Sequence, residues 1–196
     1  MKPKHIMLDI ETLATRSDAA IISIGGCVFS LDKDAPLAGS DPDDTFLVSV
    51  NQDFYQNPWF AEYFVDPSTV EWWDGQGQAA QEALSINLVE TPGDALDVMD
   101  RFFERVGFKR NFNFDGDRVW ANPTAFDCVI IRNAASIERS SDNAVPWHYR
   151  QETCLRTVFW MNNDQPRRDR DTDLVAHRAD HDAIAQARAL QDFYRG

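Results

Sequence analysis

The stretch His5-Ile6-Met7-Leu8-Asp9-Ile10-Glu11-Thr12-Leu13 is an apolar run that closes on two carboxylates, and the fold is read outward from it. Residues 5–10 predict a strand. Residues 20–29 and 45–50, rich in Ile and Val and bounded by polar or glycine-containing turns, predict two more, and the short links between the three suit an antiparallel meander. Side chains alternate along a strand, so Asp9 and Glu11, at i and i+2, project from one face. Two carboxylates so placed repel each other unless a cation lies between them. A lone Asp-x-Glu at a strand end more often points into water, so its weight depends on the other acids.

Further along, residues 67–76 predict a helix with Asp66 or Ser68 as N-cap. A clearer helix opens at Thr91 or Pro92, where Leu96, Met99, Phe103 and Val106 recur at helical spacing until Gly107. Residues 117–121 predict a strand, 124–137 a helix, 140–147 a loop, 153–161 a helix and 162–173 a polar, charge-dense loop. The last helix is expected over about residues 180–194, with Ile184, Ala187, Leu190 and Phe193 or Tyr194 on one face. The order β-β-β-α-β-α-(β)-α predicts an α/β fold. It is a mixed five-stranded sheet, three antiparallel strands first, with helices on both faces, a layout that resembles ribonuclease H. The 196 residues suit a single domain spanning 1–196.

Composition excludes several classes. With 43% hydrophobic and 26% charged residues the chain is globular, not disordered or collagen-like. Cys27, Cys128 and Cys154 are far apart and odd in number, which argues against a zinc site and a disulfide framework and for a reducing compartment. The 19 basic and 32 acidic residues give a net charge of −13, which disfavours a protein that coats nucleic acid through a broad basic surface. Residues 150–196 carry as many bases as acids, so the whole acidic excess is N-terminal. The apolar run at residues 19–29 is too short to cross a bilayer, and the start Met-Lys-Pro-Lys-His has no signal-peptide character. A soluble cytoplasmic protein without membrane attachment is expected. The oligomeric state is left open, a homodimer included.

Two further segments carry acids in suggestive places. Asp127 interrupts the apolar run Phe126-Asp127-Cys128-Val129-Ile130-Ile131 near a helix start, where an acid also complements the helix dipole. In His177-Arg178-Ala179-Asp180-His181-Asp182, a histidine precedes the last helix and Asp182 lies in its first turn or so. Asp180 and His181 are the rival acid and base, as a helix N-cap and an exposed first-turn residue. Spacing favours His177 and Asp182 modestly, because Asp182 directly precedes the apolar stripe. Four carboxylates in one cleft raise one another's pKa, and two divalent cations remove that cost. All-oxygen ligands select Mg²⁺, with Mn²⁺ as substitute, over zinc. Two such ions can activate water on one side of a phosphodiester and stabilise the leaving oxygen on the other, while a neutral imidazole accepts the proton.

With these residues assembled, the chain resembles the DEDDh 3′-to-5′ exonucleases of the DnaQ-like superfamily. Asp9-Ile10-Glu11-Thr12-Leu13 is similar to the first motif, Phe126-Asp127 to the second, and His177 with Asp182 to the third. The tyrosine of the related DEDDy class would fall at Arg178. Ile22-Ser23-Ile24-Gly25, Thr69-Val70-Glu71-Trp72-Trp73 with Gln76, Trp120, Pro146-Trp147 and Leu155-Arg156-Thr157 resemble a narrower group: the phage and bacterial DexA-type exonucleases and the related mycobacterial exoribonuclease. The chain departs from that group at Thr153-Cys154, where an acid is expected.

The resemblance implies that Asp9, Glu11, Asp127 and Asp182 hold two metal ions and that His177 is the general base. It implies that the Thr12 backbone lies near a terminal 3′-hydroxyl and that Leu13 wedges near the base. Phe126 would stack on the next base, and Arg156 would serve a structural or phosphate contact. Trp72 and Trp73 cannot share a helix face, so one is read as core with the other covering it; the competing reading is base stacking by at least one, with Trp73 the candidate. The implied activity is release of 5′-mononucleotides from single-stranded 3′ ends of DNA or RNA. The alternative is a noncatalytic nucleic-acid or protein-binding module on the same fold, whose mark would be a lost metal ligand; none is lost here.

Overall fold

The computed structural model describes residues 3–57, 62–113, 116–139, 144–162 and 173–195. Strand β1 (His5–Thr12) pairs antiparallel with β2 (Ile21–Phe29), which pairs antiparallel with β3 (Thr45–Val50). Helices α1 (Pro67–Asp74) and α2 (Gln78–Ala83) lead to β4 (Leu88–Val89), parallel to β3. Helix α3 (Pro92–Arg105) crosses to β5 (Arg118–Ala121), parallel to β1. Helix α4 (Asp127–Arg139), β6 (Glu152–Cys154), α5 (Leu155–Met161) and α6 (Ala179–Arg195) follow. The strand order β4-β3-β2-β1-β5-β6 leaves β1 central, with an antiparallel neighbour on one side and a parallel one on the other.

The sheet has six strands where five were expected. The addition is Leu88–Val89, held by the pairs Ser49↔Leu88 and Val50↔Val89, and two residues are too few for alternation to show in a sequence. Helix α2, Gln-Ala-Ala-Gln-Glu-Ala, was likewise not anticipated because it has no strong apolar stripe. Helix α1 stops at Asp74, capped at Gly75, and α4 starts at Asp127 after a turn in which the Pro123 carbonyl accepts from the Phe126 amide. The expected helix at 153–161 begins with two residues of β6 and turns helical at Leu155. Within the two predicted loops, residues 140–143 and 163–172 lie outside the described residues. Thr91 caps α3 as the sequence suggested, in a reciprocal capping box with Asp94.

Both faces of the sheet are covered, which is why β1 reads as a nearly unbroken apolar run and not as a strict alternation. Ile6, Leu8 and Ile10 pack in one cluster with Leu96, Met99 and Phe103 of α3 and Ile130, Ile131 and Ala134 of α4. On the opposite face Met7 and Cys27 meet Trp120, Leu155 and Phe159, together with Ala183, Ile184, Ala187 and Leu190 of α6. No helix among the described residues is long and apolar enough to cross a membrane.

The contact that positions the functional residues is between α6 and β2. Gly25 pairs with Asp9 across the β1–β2 ladder, and a Cβ on Gly25 would overlap the backbone of Ala179 and Asp180. Ala183 and Ala187, both fully buried, continue this small-residue track along α6. A helix backbone can approach a strand this closely only where one partner lacks a side chain. Replacing Gly25→Ala is expected to lower the free energy of unfolding by about 3 kcal/mol, the upper end for overpacking because the obstacle is backbone. Urea denaturation measured against the parent protein checks this, and an unchanged midpoint would contradict the packing described.

Candidate active site

Asp9 and Glu11 leave β1 on the face that carries α6. Their strand outruns its parallel neighbour, since β1–β5 pairing ends at Met7↔Trp120. The Ile10 amide lies beyond that pairing and donates instead to Asp127 Oδ1 at 3.2 Å. This bond ties the first residue of α4 to the carboxyl end of β1, where open α/β sheets place their ligands. Asp127 is 3% exposed.

Helix α6 brings the remaining groups. Asp182 Oδ2 accepts from the His177 amide at 2.8 Å, and the Asp182 amide donates to the Arg178 carbonyl at 2.9 Å. The pair closes a tight turn in which His177 takes a left-handed backbone, φ 61°, a conformation that histidine adopts more readily than most side chains. One ligand atom each from Glu11, His177 and Asp182 lie within 4.8 Å of one another, and His177 Nδ1 is 4.0 Å from Glu11 Oε1. The His177 ring stands edge-on to Trp72, centroids 4.9 Å apart. The rival residues are engaged elsewhere: Asp180 accepts from Arg178 Nε and Nη2 at 2.8 and 2.9 Å, and His181 Nδ1 accepts from the Val175 amide at 2.8 Å.

The electrostatics follow from this crowding. Burial, then Asp127, Glu11 and Asp182 in turn, push the Asp9 carboxyl well above the usual carboxylate range, and a hydrogen bond from Gln186 partly offsets them. Burial, with Asp182 and Asp127, pushes Glu11 up to about 8. Burial raises Asp127 to about 7 even though backbone N–H groups, including that of Ile10, and the Arg156 guanidinium pull the other way. A cluster of acids that cannot all ionise is incomplete without positive charge. The ligand atoms that converge come from two carboxylates and one imidazole, Glu11, Asp182 and His177, with the buried Asp9 and Asp127 carboxyls acting on them electrostatically; oxygen-rich donors of this kind fit a hard divalent cation better than a soft metal.

The residues expected to meet substrate fall into two groups. Thr12 and Leu13 are buried, 8% and 4% exposed: the Thr12 hydroxyl donates to the Ala14 carbonyl at 2.6 Å and the Leu13 amide to the Ala20 carbonyl at 2.9 Å. Phe126 is partly buried against the core, and Arg156 is exposed, its Nη2 3.5 Å from the Asn122 carbonyl. Trp73 departs from expectation. It is 6% exposed and donates Nε1–H to the Thr12 carbonyl at 3.0 Å, so it braces the strand end, and the exposed ring is Trp72 at 45%. The sequence reading missed Gln186, whose Nε2 donates to Asp9 Oδ1 at 2.8 Å. Its signal was available: it lies four residues after Asp182, on the same side of the helix.

Residues 4–194 match the family described as the 3′-5′ exoribonuclease Rv2179c-like domain. Among solved structures, the zinc-bound Escherichia coli exonuclease I complex with single-stranded DNA aligns with all of the chain at 14% identity and a TM-score of 0.60. This chain spans 40% of that one's length. The Mg²⁺- and Mn²⁺-bound Schizosaccharomyces pombe Pop2p aligns with 96% of the chain and 82% of its own, at 11% identity and a TM-score of 0.59. The cell-death related nuclease CRN-4 aligns with 98% of the chain and 64% of its own, at 12% identity and a TM-score of 0.52. At such identities these likenesses concern the fold. No curated protein matches the chain.

The raised carboxyls make the metal-free protein pH-sensitive with a definite sign. Native Glu11 and Asp127 keep protons that the unfolded chain has already released, so stability is fullest below the ordinary carboxylate pKa and falls as pH rises towards about 8. With one pKa unit equivalent to about 1.4 kcal/mol, a loss on the order of a few kcal/mol is expected between pH 5 and pH 8.5 in chelator. Thermal melts at the two pH values, with EDTA and with excess Mg²⁺ or Mn²⁺, check it. The cation should raise the melting temperature mainly at the higher pH.

Proposed function

Because the chain belongs to the 3′-5′ exoribonuclease Rv2179c-like domain family, we propose that it is a single-domain, metal-dependent 3′-to-5′ exonuclease releasing 5′-mononucleotides from single-stranded ends. What supports this reading is the convergence of Glu11, His177 and Asp182, ligand atoms within 4.8 Å of one another, beside the end of β1 that carries Asp9 and is bonded through Ile10 to Asp127, with Asp9, Glu11 and Asp127 all held above the usual carboxylate range. The bare cluster is electrostatically costly, and a divalent cation is what makes it favourable. The ions named with structurally similar nucleases, Mg²⁺ and Mn²⁺ with Pop2p, suit such oxygen donors.

In this reading Asp9, Glu11, Asp127 and Asp182 hold two divalent ions. When bound, the ions lower the pKa of a coordinated water and stabilise the 3′-oxygen leaving from the phosphodiester. The rest falls to the chain's own groups. His177, beside Glu11 and Asp182, accepts the water's proton as a neutral imidazole, its ring in perpendicular contact with Trp72. The Thr12 backbone and Leu13 line the terminal nucleotide's place, Phe126 stacks on the next base, and Arg156 meets a phosphate at the rim. Trp72, the exposed member of its pair, offers a second stacking face. A net charge of −13 makes affinity for a polyanion depend on the bound cations, and salt should weaken it further.

End-labelled RNA and DNA oligonucleotides of matched sequence, digested with Mg²⁺, test the assignment. Stepwise loss of mononucleotides from the 3′ end is expected, with circular substrates resistant. Asp9→Ala and Asp182→Ala should abolish turnover, and His177→Ala should slow it about 10² to 10⁴-fold, the usual range for a general base. Intact linear substrate of every sequence with the folded parent protein would refute it and favour a noncatalytic binding module. Trp72→Ala should raise KM for a ten-nucleotide substrate and also lower kcat, because the same ring is in contact with His177.

A further inference from the structure

Gln186 stands out among the polar groups that the proposed chemistry does not use. It lies on α6 one turn after Asp182, where the close approach over Gly25 brings the helix against β1. Its Nε2 donates to Asp9 Oδ1 at 2.8 Å, across 177 residues of sequence. Its Oε1 is sequestered from solvent and has no hydrogen-bond partner among the described residues. A buried amide oxygen left unpaired costs about 1–3 kcal/mol, so one retained here needs a reason.

We propose that Gln186 is a positioning residue of the metal centre: its Nε2 fixes the Asp9 carboxylate for a bound divalent ion, and that bond is why an amide with an unpaired Oε1 is retained there. The inference rests on the metal-dependent reading above and adds a residue to it. Two features support it. Asp9 lies mid-cluster and is held to the protein through this bond, so without it the carboxylate can rotate away from the other ligands. The donor is neutral: a lysine or arginine in its place would set a fixed positive charge among the acids and compete with the cation, and a glutamate would add a fifth carboxylate. Groups of this kind, one bond removed from the metal, commonly change metal affinity by 10- to 100-fold when lost.

Titration of the full chain with Mn²⁺ alone, free ion followed by electron paramagnetic resonance and heat by calorimetry, tests the proposal without reference to nuclease activity. The parent, Asp9→Ala and Gln186→Met are compared at pH 7.5, with circular dichroism as the check on folding. Methionine keeps the length and bulk of the side chain but cannot donate. The expected result is Mn²⁺ binding by the parent, its loss in Asp9→Ala, and a 10- to 100-fold weaker dissociation constant in Gln186→Met with the fold intact. The Mn²⁺ concentration for half-maximal activity should rise by the same factor, while KM for oligonucleotide stays within about twofold of the parent's at saturating Mn²⁺. Parent-like Mn²⁺ affinity in folded Gln186→Met would overturn the proposal and leave the exonuclease reading standing. A parent that binds no Mn²⁺ would instead overturn the metal reading beneath it. If the methionine variant does not fold, Gln186→Asn, which withdraws the amide by one methylene, is read in the same titration: weakened binding supports the role and unchanged binding overturns it.

Discussion

The repulsion among four carboxyl groups at the end of β1 is the constraint around which this molecule is arranged. Burial first, and then the neighbouring acids, raise the Asp9 and Glu11 carboxyls, and burial raises Asp127. No globular fold gains from assembling such a cluster for its own sake, because dispersing the acids into solvent would be cheaper. Its persistence therefore points to a positively charged ligand, and the oxygen-rich donor set narrows that ligand to a hard cation.

The scaffold that sustains the repulsion is rigid. Strand β1 is buried on both faces, by α3 and α4 on one and by α5 and α6 on the other, so its register against β2 cannot slip without exposing a core face. Each acid outside β1 is then fixed by a backbone bond: Asp127 accepts from Ile10, and Asp182 accepts from His177. Gly25 and the alanines of α6 set the distance at which that helix approaches, and with it the reach of Asp182 and Gln186. Near the third motif, Asp180 is paired with Arg178.

Much of this was legible in the chain itself. The apolar run ending in Asp9 and Glu11 places both side chains on one face through the twofold period of a strand, and the motif order locates Asp127, His177 and Asp182. The helices with strong apolar stripes, α3, α4 and α6, were visible for the same reason. The elements missed were those without a pattern to read, Leu88–Val89 and the weakly apolar α2. The role of Trp73 was misjudged because adjacent tryptophans on a short helix give no sign of which one turns inward. That was decided by the Thr12 carbonyl, a backbone acceptor at a strand end that the indole N–H satisfies.

Local periodicity and residue type thus determined the strands and the principal helices, since these follow from neighbours a few positions apart, while the candidate acids were singled out by the order of the family-like motifs. Tertiary structure decided which ring is exposed, and it brought Gln186 within hydrogen-bond reach of Asp9. Those outcomes depend on how closely α6 and α4 approach β1, a distance set by Gly25 and by hydrogen bonds that join residues more than a hundred positions apart.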